Sequence, residues 1–84
     1  MKKKFFITGT SRGIGHSLAI DYLAAGHSVI GCSRSESTIN DPNYCHYIVD
    51  LSSEESIRTL FFKMREDDVV FDVLVNNAGS AFMN

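Results

Sequence analysis

Thr8-Gly9-Thr10-Ser11-Arg12-Gly13-Ile14-Gly15 is the stretch whose reading decides the fold. It follows the apolar run Phe5-Phe6-Ile7. It opens a segment in which Ile14, Leu18, Tyr22 and Ala25 recur at i, i+4, i+8 and i+11, with Ala19 and Leu23 beside them. A short apolar run ending in glycine reads as a buried parallel strand. The switch to helical spacing directly after it reads as a helix packed back on that strand. Glycine at this junction lets the chain turn tightly, lets backbone approach a bound group, and lets helix and sheet pack closely. The helix N-terminus adds unpaired N–H groups and the positive end of the helix dipole, a combination suited to a pyrophosphate. A phosphate-binding loop of the GxxxxGK[ST] kind is excluded, because no lysine follows Gly13.

Outward from this turn the two periods keep alternating. Gly26 is placed to end the first helix in a left-handed cap, and Ser28-Val29-Ile30-Gly31-Cys32 reads as a second buried strand. Ser35 to Asn43 is polar and carries Asp41-Pro42, which disfavours helix at Asp41, so a loop or a single turn is expected. Tyr44 to Asp50 is a third strand. Ser52 with Glu55 forms a capping box ahead of Ile57, Leu60, Phe61 and Met64, at i, i+3, i+4 and i+7. After Glu66-Asp67-Asp68, Phe71 to Asn76 is a fourth strand, apolar throughout and so expected to be buried on both faces. The resulting order predicts an α/β fold: a Rossmann-type, doubly wound parallel sheet in the order 3-2-1-4, with helices near 13–25 and 53–65 on opposite faces. With nothing beside it, the fourth strand would be an exposed apolar edge and a route to self-association, so a homo-oligomer is expected.

The glycine spacing, TGxxxGxG, resembles the nucleotide-binding signature of the short-chain dehydrogenase/reductase family. Asp72-Val73-Leu74-Val75-Asn76-Asn77-Ala78-Gly79 resembles that family's fourth-strand motif, and Val49-Asp50-Leu51 its adenine-side acid. The resemblance implies roles residue by residue. Gly9, Gly13 and Gly15 would shape the turn; Ser11, Arg12 and Ile14 would line the phosphates. Asp50 would accept from the adenine amino group, and Leu51 would contribute backbone. Asn77, Ala78 and Gly79 would pass beside the ribose, while Asn76 braces the sheet from within. From the residues alone, Asp50 also reads as a strand-end turn residue. The family usually places a helix between its second and third strands, where this chain has the polar Ser35–Asn43 stretch.

The resemblance further implies hydride transfer between a nicotinamide and an alcohol/carbonyl pair, with a Tyr-x-x-x-Lys pair moving the proton. No tyrosine here has lysine four residues on: Gly26 follows Tyr22, Ile48 follows Tyr44, and Leu51 follows Tyr47. In the family this pair lies beyond the Asn-Asn-Ala-Gly motif, and the chain runs five residues past Gly79. No catalytic residue is therefore assigned, and residues 1–84 are expected to be the N-terminal, cofactor-binding part of a single NAD(P)-binding domain. The alternative is a non-catalytic nucleotide-binding or regulatory module on the same fold.

Cofactor choice turns on the end of the second strand. NAD-specific domains place a carboxylate there, about 20 residues after the glycine turn, to hold the ribose hydroxyls. This chain has Cys32-Ser33-Arg34, with no acid until Glu36. Arg34 would attract a 2′-phosphate, with Arg12 approaching from the glycine turn and the Ser33 hydroxyl completing a clamp. NADP(H) is the expected cofactor.

Composition removes other classes. The net charge of −2 gives no electrostatic case for nucleic acid, and Lys2-Lys3-Lys4 reads as a solvated lead-in to the first strand. Cys32 and Cys45 stand 13 apart with no CxxC spacing, and His16, His27 and His46 are scattered, so no metal site is expected. Both thiols are read as reduced, packed side chains. No segment reads as a signal peptide or a membrane span, and the cytoplasm is the expected location.

Overall fold

The computed structural model describes residues 1–77. Strands β1 (Lys4–Thr8), β2 (Ser28–Ser33), β3 (Tyr44–Ile48) and β4 (Val73–Val75) and helices α1 (Gly13–Ala24) and α2 (Glu54–Glu66) follow one another as the periodicity predicts. The four strands form one parallel sheet in the order β3-β2-β1-β4. In register, Ile7 lies between Gly31 of β2 and Val75 of β4.

Alternation along β1 sends its side chains to both faces, and each face carries its own helix. Phe5, Ile7 and Val29 pack with Ala19 of α1, joined by Leu18, Tyr22 and Leu23. Phe6, Ile30, Cys32 and Val49 pack with Leu60 and Met64 of α2. Phe6 and Ile7 are wholly buried, and burial of side chains this size is worth about 1.5–3 kcal/mol each. Phe5 also stacks on Tyr22, with ring centroids 3.9 Å apart.

The face of α1 differs from the expected stripe. Ile14 is 72% exposed and Ala25 is exposed, while Gly15 and Ala19 are the buried positions. The helix is turned so that its smallest residues lie against the sheet, because the glycine turn brings backbone too close for larger ones. Its C-terminus closes as expected. Gly26 takes φ +94, its N–H donates to the Leu23 carbonyl at 3.0 Å, and that of His27 donates to Tyr22 at 3.0 Å, the Schellman pattern.

The capping box is corrected. The N-cap of α2 is Ser53, whose hydroxyl accepts from the Ser56 N–H at 3.2 Å. Ser52 is held outside the helix, donating both its N–H (3.0 Å) and its hydroxyl (2.6 Å) to Asp50 Oδ1. β3 stops at Ile48 rather than Asp50, since its partner β2 ends at Ser33; the Val49 N–H makes the last ladder bond, to the Ser33 carbonyl at 2.8 Å. β4 is shorter than expected and is not buried on both faces. Val73 and Val75 pack toward α1, but Leu74 is 41% exposed, because α2 clusters over β1, β2 and the end of β3.

Residues 34–43 contain no helix, as the sequence indicates. Ile39 alone tucks against the α1-side core, and Asp41 turns the chain by accepting the Asn43 N–H at 2.8 Å. Cys32 is buried as expected, whereas Cys45, on the edge strand, is exposed; both are free thiols.

Candidate dinucleotide-binding site

The turn after β1 is built on backbone that only glycine adopts freely. Gly9 has φ +73 and Gly13 φ +67. The N–H groups of Gly9 and Thr10 both donate to the Cys32 carbonyl, at 2.8 and 3.3 Å, fastening the turn across the top of β2. Gly15 lies so close beneath this turn that a Cβ there would overlap the Gly9 carbonyl oxygen. Asn77 closes the far side: its backbone N–H donates to Thr8 Oγ1 at 2.8 Å and its side-chain amide to the Gly9 carbonyl at 3.2 Å. The Thr8 hydroxyl donates in turn to Asn76 Oδ1 at 3.2 Å. Asn77 thus braces the turn, while Asn76 holds the end of β1 through Thr8.

The two helix N-termini differ in a way that matters for anions. α2 begins with a serine cap and with Glu54 and Glu55 in its first turn, so its dipole is already answered by its own sequence. α1 follows the N-cap Arg12, which is in extended backbone with no side-chain cap hydrogen bond, and has no acid in its first turn. Its N-cap Arg12 lines the cleft beside the glycine turn, and a helix start with no cap or acid of its own is suited to an anion by charge and by donor type.

That cleft has a volume of about 780 Å³, within the usual size of a cofactor site. Gly9, Ser11 and Arg12 line it from the turn, and Ser33 and Arg34 from the end of β2. Asp50, Leu51 and Asn77 line it from the ends of β3 and β4. Gly13, Ile14 and Gly15 lie outside its lining, and Ala78 and Gly79 lie outside the described residues. Arg12 and Arg34 are both exposed into it.

Two expected roles change. The Ser33 hydroxyl is buried and donates to the Ser35 carbonyl at 2.7 Å, so it is turned into the loop and is not a donor for a phosphate clamp. Asp50 is a turn residue as well as a cleft residue: Ser52 occupies Oδ1 from two sides. Those two bonds, with Arg34 nearby, hold the Asp50 carboxyl below its ordinary range, so it is ionised at neutral pH. Cys32 lies under the turn, and burial pushes its thiol up to about 11. Ser35, Glu36, Val49 and Ser52, to which the sequence alone assigns no cofactor contact, also line the cleft. Sequence reasoning also missed the buried hydroxyl of Thr10, which meets the Tyr44 hydroxyl at 2.7 Å. The alternation Tyr44-x-His46 was the available signal, since it puts two polar rings on one face of a strand.

Among the described residues no group of His, Cys, Asp and Glu is arranged to hold a metal, and no helix is long and apolar enough to cross a membrane.

A parallel sheet in the order 3-2-1-4, with a glycine turn leading into an uncapped helix at the carboxyl ends of its strands, defines a dinucleotide-binding α/β fold of the Rossmann type. Within that class, a short chain dehydrogenase family model matches residues 3–84, and the chain belongs to that family. It is 34% identical over 86 residues to the NADPH-dependent pterin aldehyde reductase of Arabidopsis thaliana, covering 93% of this chain and 36% of the relative. It is 30% identical over 79 residues to a benzil reductase of Bacillus subtilis, covering 89% of this chain and 32% of that one. Among solved structures, 4-hydroxyisoleucine dehydrogenase complexed with NADH superposes with a TM-score of 0.85 at 28% identity, over 92% of this chain and 34% of the other. A short chain dehydrogenase from Leptospira borgpetersenii with bound NAD+ gives 0.83 at 25% identity, over 94% and 32%. The chain thus spans about a third of the length of these relatives.

Proposed function

We propose that this chain is the cofactor-holding part of an NADP(H)-dependent oxidoreductase that passes hydride between the nicotinamide and an alcohol/carbonyl substrate. The observation that carries the reading is one cleft into which Arg12 and Arg34 are both exposed, beside a helix N-terminus with no cap and no acid of its own. When bound, the nicotinamide supplies or accepts the hydride; the protein supplies binding and orientation. The N–H groups around Ser11, Arg12 and Ile14 would hold the pyrophosphate. Arg34 and Arg12 would grip the 2′-phosphate, a task for which the planar guanidinium suits. A carboxylate has about four acceptor positions, so Asp50 can serve Ser52 through Oδ1 and an adenine amino group through Oδ2. Asn77 would act by fixing the turn, its amide being spent on Gly9.

Charge-assisted hydrogen bonds are worth roughly 1.5–3 kcal/mol. Arg34→Ala is therefore expected to weaken NADP(H) binding by about 10- to 100-fold and leave NAD(H) nearly unchanged. Titrating both cofactors against both proteins by calorimetry tests it. Equal losses, or a native preference for NAD(H), would rule the clamp out. A second reading has one observation in its favour: Glu36 lines the same cleft as Arg34, and a carboxylate there could accept ribose hydroxyls and select NAD(H). In that case Glu36→Gln, and not Arg34→Ala, would carry the change in cofactor preference.

A further inference from the structure

Between the glycine turn and the loop after β2 runs a chain of hydrogen bonds. The Thr10 hydroxyl lies 2.7 Å from the Tyr44 hydroxyl, and that hydroxyl lies 2.7 Å from Nδ1 of His46. On the far side of the ring, His46 Nε2 lies 2.9 Å from the Ser35 carbonyl and 3.1 Å from Ser33 Oγ. A carbonyl oxygen only accepts, so its partner Nε2 carries the proton. In a neutral imidazole Nδ1 then holds a lone pair. The Tyr44 hydroxyl must donate to it, and Thr10 must donate to Tyr44. One carbonyl thus sets the direction of every bond: Thr10 to Tyr44, Tyr44 to His46, His46 to Ser35.

Two observations make this a fitted arrangement. Gly31 of β2 lies beneath the bridge, and a Cβ there would overlap both the Tyr44 hydroxyl and Thr10 Oγ1. The strand between Thr10 and Tyr44 must therefore present glycine for the bond to form. The far end is also held twice, because Ser33 Oγ donates to the same Ser35 carbonyl at 2.7 Å. Arg34 lies between Ser33 and Ser35, in a stretch with no helix to hold it.

We propose that Tyr44 and His46, seated over Gly31, are positioning residues that fix the backbone on either side of Arg34 at a set place relative to the glycine turn, and so determine recognition of a 2′-phosphate. The proposal rests on the cofactor reading above and deepens it. Neither residue lines the cleft; both act through Ser35 and Thr10. Burial raises the Tyr44 hydroxyl above its ordinary range, which keeps its proton available to donate.

The test uses the whole chain and two fragments of the cofactor, 2′,5′-ADP and 5′-AMP, titrated by calorimetry. Tyr44→Phe keeps the ring and its packing and removes only the central hydroxyl. It is expected to weaken 2′,5′-ADP about fivefold and change 5′-AMP by less than about twofold. Equal losses for the two, or none, would overturn the proposal. A readout free of ligand separates it from the cofactor reading. Nitrogen-15 spectra of His46 at mildly alkaline pH should show the Nε2–H form in the native chain and a mixture of forms in Tyr44→Phe, with faster amide exchange at residues 34–36. A native Nδ1–H form, or spectra and exchange unchanged by Tyr44→Phe, refutes the strut even where NADP(H) binds. A native chain with the expected spectra and no preference for 2′,5′-ADP refutes the cofactor reading and, with it, the strut's role in 2′-phosphate recognition.

Discussion

Gly15→Ala separates steric from conformational demands on the glycine turn. Gly15 sits in the first turn of α1, where alanine would ordinarily stabilise a helix by about 1 kcal/mol. Here the added Cβ would overlap the Gly9 carbonyl oxygen, lie 2.9 Å from the Gly9 carbonyl carbon, and press on the Asn77 side-chain nitrogen. Two of these three atoms are backbone in a turn already fastened to Cys32, so they cannot swing aside. Overpacking against fixed atoms costs about 1–3 kcal/mol, and displacing Asn77 from its bond to Gly9 adds about 1 kcal/mol. Against the helix-propensity gain of about 1 kcal/mol, the net loss is about 1–3 kcal/mol, which for a chain of this size lowers Tm by roughly 4–24 °C. Gly13→Ala is the control. Nothing lies within 4 Å of its Cβ position, but φ is +67, so it should cost only the left-handed backbone penalty of about 1–2 kcal/mol. Thermal unfolding followed by circular dichroism measures both. If Gly15→Ala is neutral or stabilising, the close approach of helix to turn is not what holds the site together.

The cap of α2 is checked by a pair of variants: Ser53→Ala should lose about 1 kcal/mol in denaturant unfolding, whereas Ser52→Ala should leave the helix start intact; a larger loss from Ser52→Ala would restore the capping box. The thiols should separate by burial. Cys45 should react at once with a thiol reagent and Cys32 only on unfolding, and rapid reaction of both would show the turn to be open. Because burial raises the Cys32 pKa from 9.0 to about 11, the folded chain holds that proton more tightly than the unfolded one. Its contribution is complete below the ordinary thiol pKa and declines as pH rises toward 11, by roughly 3 kcal/mol at most. Cys32→Ala should flatten that part of the alkaline stability profile; an unchanged slope would contradict the assignment.

The order of elements, the parallel sheet and the position of the glycine turn were legible in the sequence, because each rests on local periodicity and on glycine. Phe5-Phe6-Ile7 before Gly9, and the helical spacing after Gly13, leave few other folds. The helix-free stretch after Arg34 was equally legible from its polarity and Asp41-Pro42. Other features depended on which groups meet across strands. Ser52 and Ser53 are chemically alike, and only the turn made by Asp50 decides which of them caps α2. Leu74 reads as core by composition, and only the placement of α2 leaves it exposed. Ser33 reads as a phosphate donor until the loop folds back and takes its hydroxyl. Thr10, Gly31, Tyr44 and His46 come from the turn, β2 and β3, and no local pattern joins them. A parallel sheet sets them side by side because its register aligns residues far apart in the chain, and there a glycine leaves room for two hydroxyls to touch.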